Sequence, residues 1–316
     1  MTNRGKVLKS TGKWYIVELD DQSIVNCRIR GKLRLDELRT TNPIAVGDIV
    51  TLAQGADDEG NRVIEDFKPR TNYIVRKSTN LSKQKQIIAA NIDRAYLLVT
   101  LHSPETHLAF IDRFLVAAES FRIPTTLLFN KIDQYNDEEL EYINALAFMY
   151  EKIGYPCHKI SAQSKENILF LKDEIYEKQV VISGHSGVGK STLVNAIDPN
   201  LSIKTGEISK AHQQGKHTTT FAEMHKLSSG GYIIDTPGIR AFGIVDLNKT
   251  VLSHYFPEMR LLMDECKFNN CQHINEPQCA VKKALENDQL DESRYMTYMQ
   301  LMEEDQDDIH RKNIYG

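Results

Sequence analysis

The run Gly184-His185-Ser186-Gly187-Val188-Gly189-Lys190-Ser191, followed by Thr192, sets three glycines, a lysine and a hydroxyl at the spacing of a P-loop. Glycines at 184, 187 and 189 let the backbone turn with its N–H groups facing inward, and a following helix adds its positive end. Lys190 is then placed to neutralise β and γ phosphates, and Ser191 to put its hydroxyl on Mg²⁺. Such a loop points to a nucleoside triphosphate without choosing the base. Asn130-Lys131-Ile132-Asp133, upstream, makes that choice. Guanine offers N1–H and its 2-amino group side by side, a donor pair matched to one carboxylate, here Asp133. Adenine offers no such pair and would leave a desolvated carboxylate unsatisfied. Lys131 can cover the base with its alkyl stem, Asn130 can tie this segment to the P-loop, and Ser161-Ala162 falls where a backbone N–H could reach guanine O6.

Downstream comes Asp235-Thr236-Pro237-Gly238. Asp235 is expected to hold Mg²⁺ through water and the Gly238 N–H to touch the γ-phosphate. Between P-loop and Asp235, Gly215-Lys216-His217-Thr218-Thr219-Thr220 suits a switch loop that closes one threonine hydroxyl onto Mg²⁺. Ile239 stands where Ras-like enzymes carry a glutamine that orients the attacking water. Isoleucine cannot hydrogen-bond water, so another group must do that work. His217 is a candidate, and a structural or RNA-contacting histidine is the alternative. An ordinary GTPase runs P-loop, Asp-x-x-Gly, Asn-Lys-x-Asp. This chain puts the last element first, which implies a circularly permuted domain.

A second constellation, Cys266-x₄-Cys271-x-His273-x₅-Cys279, supplies three thiolates and one imidazole within fourteen residues. That is a tetrahedral Zn²⁺ set with no position left for water, so the ion would be structural rather than catalytic. Lys267, Lys282 and Lys283 flank it, and Phe268 could cover the metal or stack on a base. Cys27 and Cys157 are isolated. In a reducing compartment such a cluster indicates metal before disulfides.

The elements that must position these residues follow from periodicity. Val7-Leu8, Trp14–Val17, Ile24–Ile29, Val46–Val50 and Arg62–Ile64 are short β-rich runs punctuated by Gly, Asn and Asp, as in a small OB-type barrel. Arg28, Arg30, Lys32, Arg34 and Arg39 fall on the third run and the loop after it, an RNA-binding face or an ordinary charged edge. From about residue 90 the pattern becomes strand, helix, strand. Apolar strands at 95–100, 125–129, near 160, 180–182 and 232–234 each run into a candidate site residue or its loop, and helices are expected over 108–118 and 138–153. Ligands of parallel α/β sheets bind at the carboxyl edge, so the separate motifs should converge there. Beyond Gly243 the chain reads as helical and polar, with Tyr295, Tyr298, Met299 and Met302 forming a core-facing stripe. The expected division is 1–70, 71–245 and 246–316.

With 41% hydrophobic and 26% charged residues the 316-residue chain should fold as a soluble multidomain protein. No apolar run approaches the ~18 residues of a membrane helix, and Met1–Glu18 shows no signal-peptide core, so a cytoplasmic location is expected. The net charge of −4 is unevenly spread: 12 basic and 11 acidic residues over 1–70, 19 and 18 over 71–245, 8 and 14 over 246–316. Between Asp66 and Asp93 there is no acid, while Lys68, Arg70, Arg76, Lys77, Lys83 and Lys85 are basic. That stripe suits phosphate backbone, or a solvated linker.

Taken together, the permuted order, Gly-His-Ser-Gly-Val-Gly-Lys-Ser-Thr at 184–192, Gly-Lys-His-Thr-Thr-Thr at 215–220 and the cysteine spacing at 266–279 resemble the ribosome small-subunit-dependent GTPase A family (RsgA/YjeQ) over essentially the whole chain. The resemblance implies an α/β multidomain protein: an N-terminal OB-fold, a circularly permuted P-loop GTPase domain and a C-terminal helical zinc-binding domain. It further implies Mg²⁺-dependent GTP hydrolysis stimulated by the small (30S) subunit, a role in its late maturation, and contacts to 16S rRNA from the two outer domains. A monomer is expected. Members of the family also lack the glutamine, so Ile239 agrees with it. The acidic tail Glu303 to Asp308 adds nothing to an RNA-binding case. Two other classes stay open on residues alone. A P-loop ATPase or kinase is opposed by Asp133, and a zinc-containing nucleic-acid-binding module without catalysis would bind irrespective of nucleotide.

Overall fold

The computed structural model describes residues 3–29, 43–57, 60–77, 85–201, 222–235 and 248–304. Arg30, Lys32, Arg34, Arg39, Lys83, the 215–220 segment, Thr236 to Ile239 and the tail beyond 304 lie outside the described residues.

Five strands form the N-terminal barrel: β1 (Arg4–Ser10), β2 (Tyr15–Leu19), β3 (Ile24–Ile29), β4 (Ile49–Ala56) and β5 (Arg62–Phe67). The first three make an antiparallel meander, β5 joins β3 in parallel, and β4 pairs with both β5 and β1, closing the ring in the order 1-2-3-5-4. Alternation fills the interior: Tyr15, Val17 and Leu19 of β2 meet Val7, Cys27, Val50, Leu52 and Ile64. The expected strand over 46–50 begins only at Ile49, because the chain turns first. Gly47 has φ +91°, and the buried Asp48 carboxylate accepts the Ala45 N–H at 2.8 Å. Asp48 also receives Arg70 in a bidentate pair at 2.7 and 2.6 Å. One member of the basic stripe is therefore committed to fastening the barrel to the chain that leaves it.

That stripe is not a linker. Arg76, Lys77 and Lys85 lie on an antiparallel hairpin, β6 (Tyr73–Lys77) and β7 (Lys85–Ala90), whose Ile74, Val75, Ile87 and Ala89 are buried. Apolar residues and bases fall in separate blocks, Tyr73-Ile74-Val75 before Arg76-Lys77 and Lys85-Gln86 before Ile87-Ile88-Ala89, so no period-2 signal shows in the sequence.

The central sheet runs β10-β9-β8-β11-β13-β12, with β8 (Arg94–Val99), β9 (Thr125–Phe129), β10 (Cys157–Lys159), β11 (Gln179–Ser183) and β13 (Tyr232–Asp235) parallel and β12 (Glu223–Lys226) antiparallel at its side. Helices α1 (Leu108–Ser120), α2 (Asp137–Ile153), α3 (Leu169–Ile175) and α4 (Lys190–Ile197) connect the strands. Leu97, Val99, Ile111, Phe114, Leu115 and Leu127 pack on one face, and Tyr96, Leu98, Leu128, Leu193 and Val194 on the other. Burial on both faces is what makes these strands read as continuous apolar runs. α2 starts at a capping box, Asn136 accepting the Glu139 N–H at 2.9 Å and Glu139 accepting the Asn136 N–H at 2.9 Å, and stops at Gly154 with φ +110°.

The C-terminal part packs short helices α5 (Pro257–Arg260), α6 (Ala280–Glu286) and α7 (Glu292–Glu303) around the cysteine cluster. Helix α7 turns Tyr298 and Leu301 inward, and with them the fully buried Arg294. Arg294 bonds Asp112 of α1 at 2.8 Å and Glu258 of α5 at 2.7 Å, while Asp112 also accepts from Tyr150 and Thr297, each at 2.9 Å. Burial opposes the charge on Arg294, but the two carboxylates outweigh it and raise its pKa well above the ordinary value. Arg294→Met should remove the cation and strand a buried carboxylate, at a cost of about 3–5 kcal/mol. A denaturant midpoint equal to that of the unchanged chain would contradict this.

Candidate nucleotide site and zinc centre

The motifs meet at the carboxyl edge of the sheet. β11 feeds the P-loop, whose Lys190 and Ser191 already form the first turn of α4. The glycines are geometrically required. Gly184, Gly187 and Gly189 have φ of +143°, +88° and +103°, and a Cβ on Gly189 would stand 2.5 Å from Asn130 Nδ2. That amide is the joint of the site. Asn130 is buried, donates from Nδ2 to the Val188 carbonyl at 2.7 Å, and accepts the Ala162 N–H on Oδ1 at 2.9 Å. One side chain thus ties the Asn-Lys-x-Asp segment to the P-loop and to the Ser161-Ala162 loop. Lys190 Nζ donates to the Gly184 and His185 carbonyls at 2.7 and 2.6 Å, holding its charge over the loop. Asp133 is exposed at the rim, and Lys131, at φ +68°, donates to the Ser103 carbonyl. Desolvation lowers the Lys131 pKa, with Asp133 pulling it back up. Ser161 is buried, and its hydroxyl accepts the Ser164 N–H at 3.0 Å. Ser191 and Thr192 lie half-buried on the first turn of α4, Ser186 and Gly187 are exposed, and Asp235 ends β13.

Sequence reasoning missed three supports. The Tyr135 hydroxyl donates to the Asn130 carbonyl and accepts the Leu101 N–H, both at 3.0 Å, bracing the segment against the exit of β8. Burial raises its pKa, which keeps the donor proton in place. Phe110 of α1 stacks on the His185 ring at 3.9 Å between centroids. Thr106 accepts the Thr100 N–H through its hydroxyl at 3.2 Å, closing the loop after β8. Only Tyr135 carried a signal, an aromatic two residues past Asp133.

The ligand atoms of Cys266, Cys271, His273 and Cys279 lie within 4.8 Å of one another. A Zn²⁺ tetrahedron with Zn–S near 2.3 Å has S–S edges of about 3.8 Å. The Cys266–Cys279 sulfurs are 4.0 Å apart, and His273 Nδ1 is 3.7 and 3.4 Å from them. Those edges are far too long for a disulfide, near 2.05 Å. Burial lowers the His273 pKa and keeps a neutral imidazole, the ligating form. It pushes the Cys271 thiol up to about 12, with the neighbouring thiols adding to the rise, and a cation would reverse that. The donor set is consistent with zinc. Tyr295 and Tyr298 brace the cluster from α7, donating to the His273 and Gln272 carbonyls at 2.7 and 2.6 Å. Glu276 accepts three backbone N–H groups and orders the loop between the ligands.

A family model described as RsgA GTPase matches residues 67–245, and one described as RsgA N-terminal domain matches 4–61. The chain belongs to the RsgA GTPase family. Its curated relatives in the family include the small ribosomal subunit biogenesis GTPase RsgA of Bacteroides fragilis, 48% identical over 98% of this chain and 99% of that protein. The protein of the same name from Flavobacterium johnsoniae is 51% identical over 99% and 96%. YjeQ from Thermotoga maritima superposes with a TM-score of 0.77 at 35% identity, covering 96% of this chain and 98% of that one. YloQ, described as a circularly permuted GTPase, gives 0.73 at 29%, covering 99% and 96%. The RsgA assignment agrees with the strand order, in which β8 and β9 precede the P-loop strand in the chain, while in the sheet β8 lies beside that strand and β9 beside β8. Among the described residues no helix is long and apolar enough to cross a membrane.

Proposed function

We propose that this RsgA-family GTPase binds GTP and GDP with Mg²⁺ at the edge built by residues 130–133, 161–162, 184–192 and 235, and hydrolyses GTP as it engages the small ribosomal subunit late in assembly. The observation that carries this reading is the pair of hydrogen bonds made by the Asn130 amide, which brings a guanine-type segment and a phosphate-type loop to one place. Asp133 would pair the guanine edge, and Lys190 and the inward N–H groups would take the phosphates. Ser191 and Asp235 would hold Mg²⁺, which supplies charge neutralisation at the phosphates. Ala162 would offer its N–H to guanine O6 by sharing or releasing the bond to Asn130. Gly238, Thr218 or Thr219, and His217 would complete the γ-phosphate side. The division into 1–70, 71–245 and 246–316 assigns RNA contact to the barrel and the zinc domain. On the barrel, Arg28 stacks over Trp14 at 3.9 Å, a pair suited to an unpaired base. In the zinc domain Lys267 lies over the half-exposed Phe268. Zn²⁺ would be held by Cys266, Cys271, His273 and Cys279, and the protein would work as a cytoplasmic monomer.

The test is co-sedimentation with isolated 30S and 50S subunits in GDP, GTP and a non-hydrolysable analogue. The expected result is retention on 30S alone, strongest with the analogue. Equal retention in all nucleotide states would leave an RNA-binding module without a switch.

A further inference from the structure

The barrel and the nucleotide-binding sheet are one sheet. β1 pairs antiparallel with β12, Lys9 standing opposite Glu223, and β12 pairs antiparallel with β13, Glu223 standing opposite Asp235. Lys9, Glu223 and Asp235 are therefore side by side on three adjacent strands. Among the described residues one backbone pair joins β1 to β12, and side chains add to that junction. Lys9 Nζ meets the Glu223 carboxylate at 2.7 Å. At the other end of β12 the nearly buried Glu18 of the barrel accepts Lys226 Nζ at 2.6 Å and the Tyr232 hydroxyl at 2.5 Å. Lys6 Nζ lies 4.0 Å from the centre of the Tyr232 ring. The turn of the β12–β13 hairpin is fixed to the end of α4, Asp198 accepting the Ser228 N–H at 2.5 Å and its hydroxyl at 3.1 Å. The open end of the hairpin adjoins, in sequence, the 215–220 segment and Asp235-Thr236-Pro237-Gly238.

A hairpin anchored at its turn, gripped along one side by the barrel and ending at the Mg²⁺ carboxylate is placed to couple the two. We propose that Lys9 and Glu18 are positioning residues for the GTPase centre: they set the β12–β13 hairpin from the barrel, so that the γ-phosphate state at Asp235 and the state of the barrel are linked. This rests on the reading of Asp235 as the Mg²⁺ carboxylate. Coupling of this kind is reciprocal, so whatever loads the barrel acts on the nucleotide by the same factor. Lys9 and Glu223 are each more than one-third exposed, so reversing their charges should leave folding intact and isolate the coupling.

The experiment is amide hydrogen exchange over residues 4–19 and 223–235 of the full chain, saturated with Mg²⁺·GDP or with Mg²⁺ and a non-hydrolysable GTP analogue. In the unchanged protein exchange in β1 and β12 should slow in the analogue state. Lys9→Glu and Glu18→Gln should each abolish that difference while GDP affinity is unchanged. Lys9→Arg should keep it, and the swap Lys9→Glu with Glu223→Lys should restore it, which a merely structural role would not require. A barrel with identical exchange in both states, or a difference that survives in Lys9→Glu and Glu18→Gln, overturns the inference. Sedimentation of the unchanged protein with 30S tests the ribosomal reading separately, so either can fail without the other.

Discussion

Asp133→Asn should cost the protein its preference for GTP. In the proposed site the carboxylate would meet two adjacent donors on guanine, and an amide would put a donor where one acceptor is needed. Sites built around such a polar match discriminate by about 10⁴–10⁵ against a ligand that breaks it, because the desolvated partners are left unpaired. Asp133 lies at the rim and makes no part of the core, so the substitution should act on the base alone. The tie between Asn130 and Val188 should survive, and with it the phosphate cradle. Xanthosine triphosphate, with a carbonyl in place of the 2-amino group, should gain as GTP loses. Competition of GTP, ATP and XTP against a fluorescent guanine nucleotide measures this. Unchanged GTP-over-ATP selectivity would remove Asp133 from the site.

Cys271→Ser should bring zinc below one equivalent and unfold the C-terminal part selectively. Structural zinc contributes about 10–16 kcal/mol in small domains, and that free energy is folding free energy. The lost ligand is one of four that converge within 4.8 Å. Damage should spread through Tyr295 and Tyr298 to α7, whose Arg294 reaches α1. The nucleotide site, built from β8, β9, β11 and their loops, should still bind GDP. Metal analysis and limited proteolysis together decide the matter. Full zinc occupancy in the variant would break the ligand assignment.

The contrast between these sites shows what a sequence can carry. Gly184, Gly187, Gly189, Asn130 and Cys266 were legible because their chemistry fixes type and spacing locally, whatever surrounds them. The parallel strands were legible because burial on both faces leaves an unbroken apolar run. Arg294 and Asp112 were not. They belong to helices 182 positions apart, each charge looks like a surface residue by itself, and only the tertiary fold supplies the partner that makes burial tolerable. The β6–β7 hairpin was hidden because its bases suggested a linker, while Ile74 and Ile87 are buried between them. Val46–Asp48 carried strand composition, but Gly47 and the Asp48 side chain turn the chain there.

A permuted GTPase that senses the small subunit should reveal it in turnover. Ile239 offers no hydrogen bond to water, so hydrolysis by the protein alone should be slow, on the order of 10⁻² s⁻¹ or less, as in switch GTPases without a partner. Single-turnover GTP hydrolysis should be followed with no addition, with 30S subunits and with 50S subunits. Marked acceleration by 30S and none by 50S is expected. A rate indifferent to 30S, or raised equally by both subunits, would contradict it.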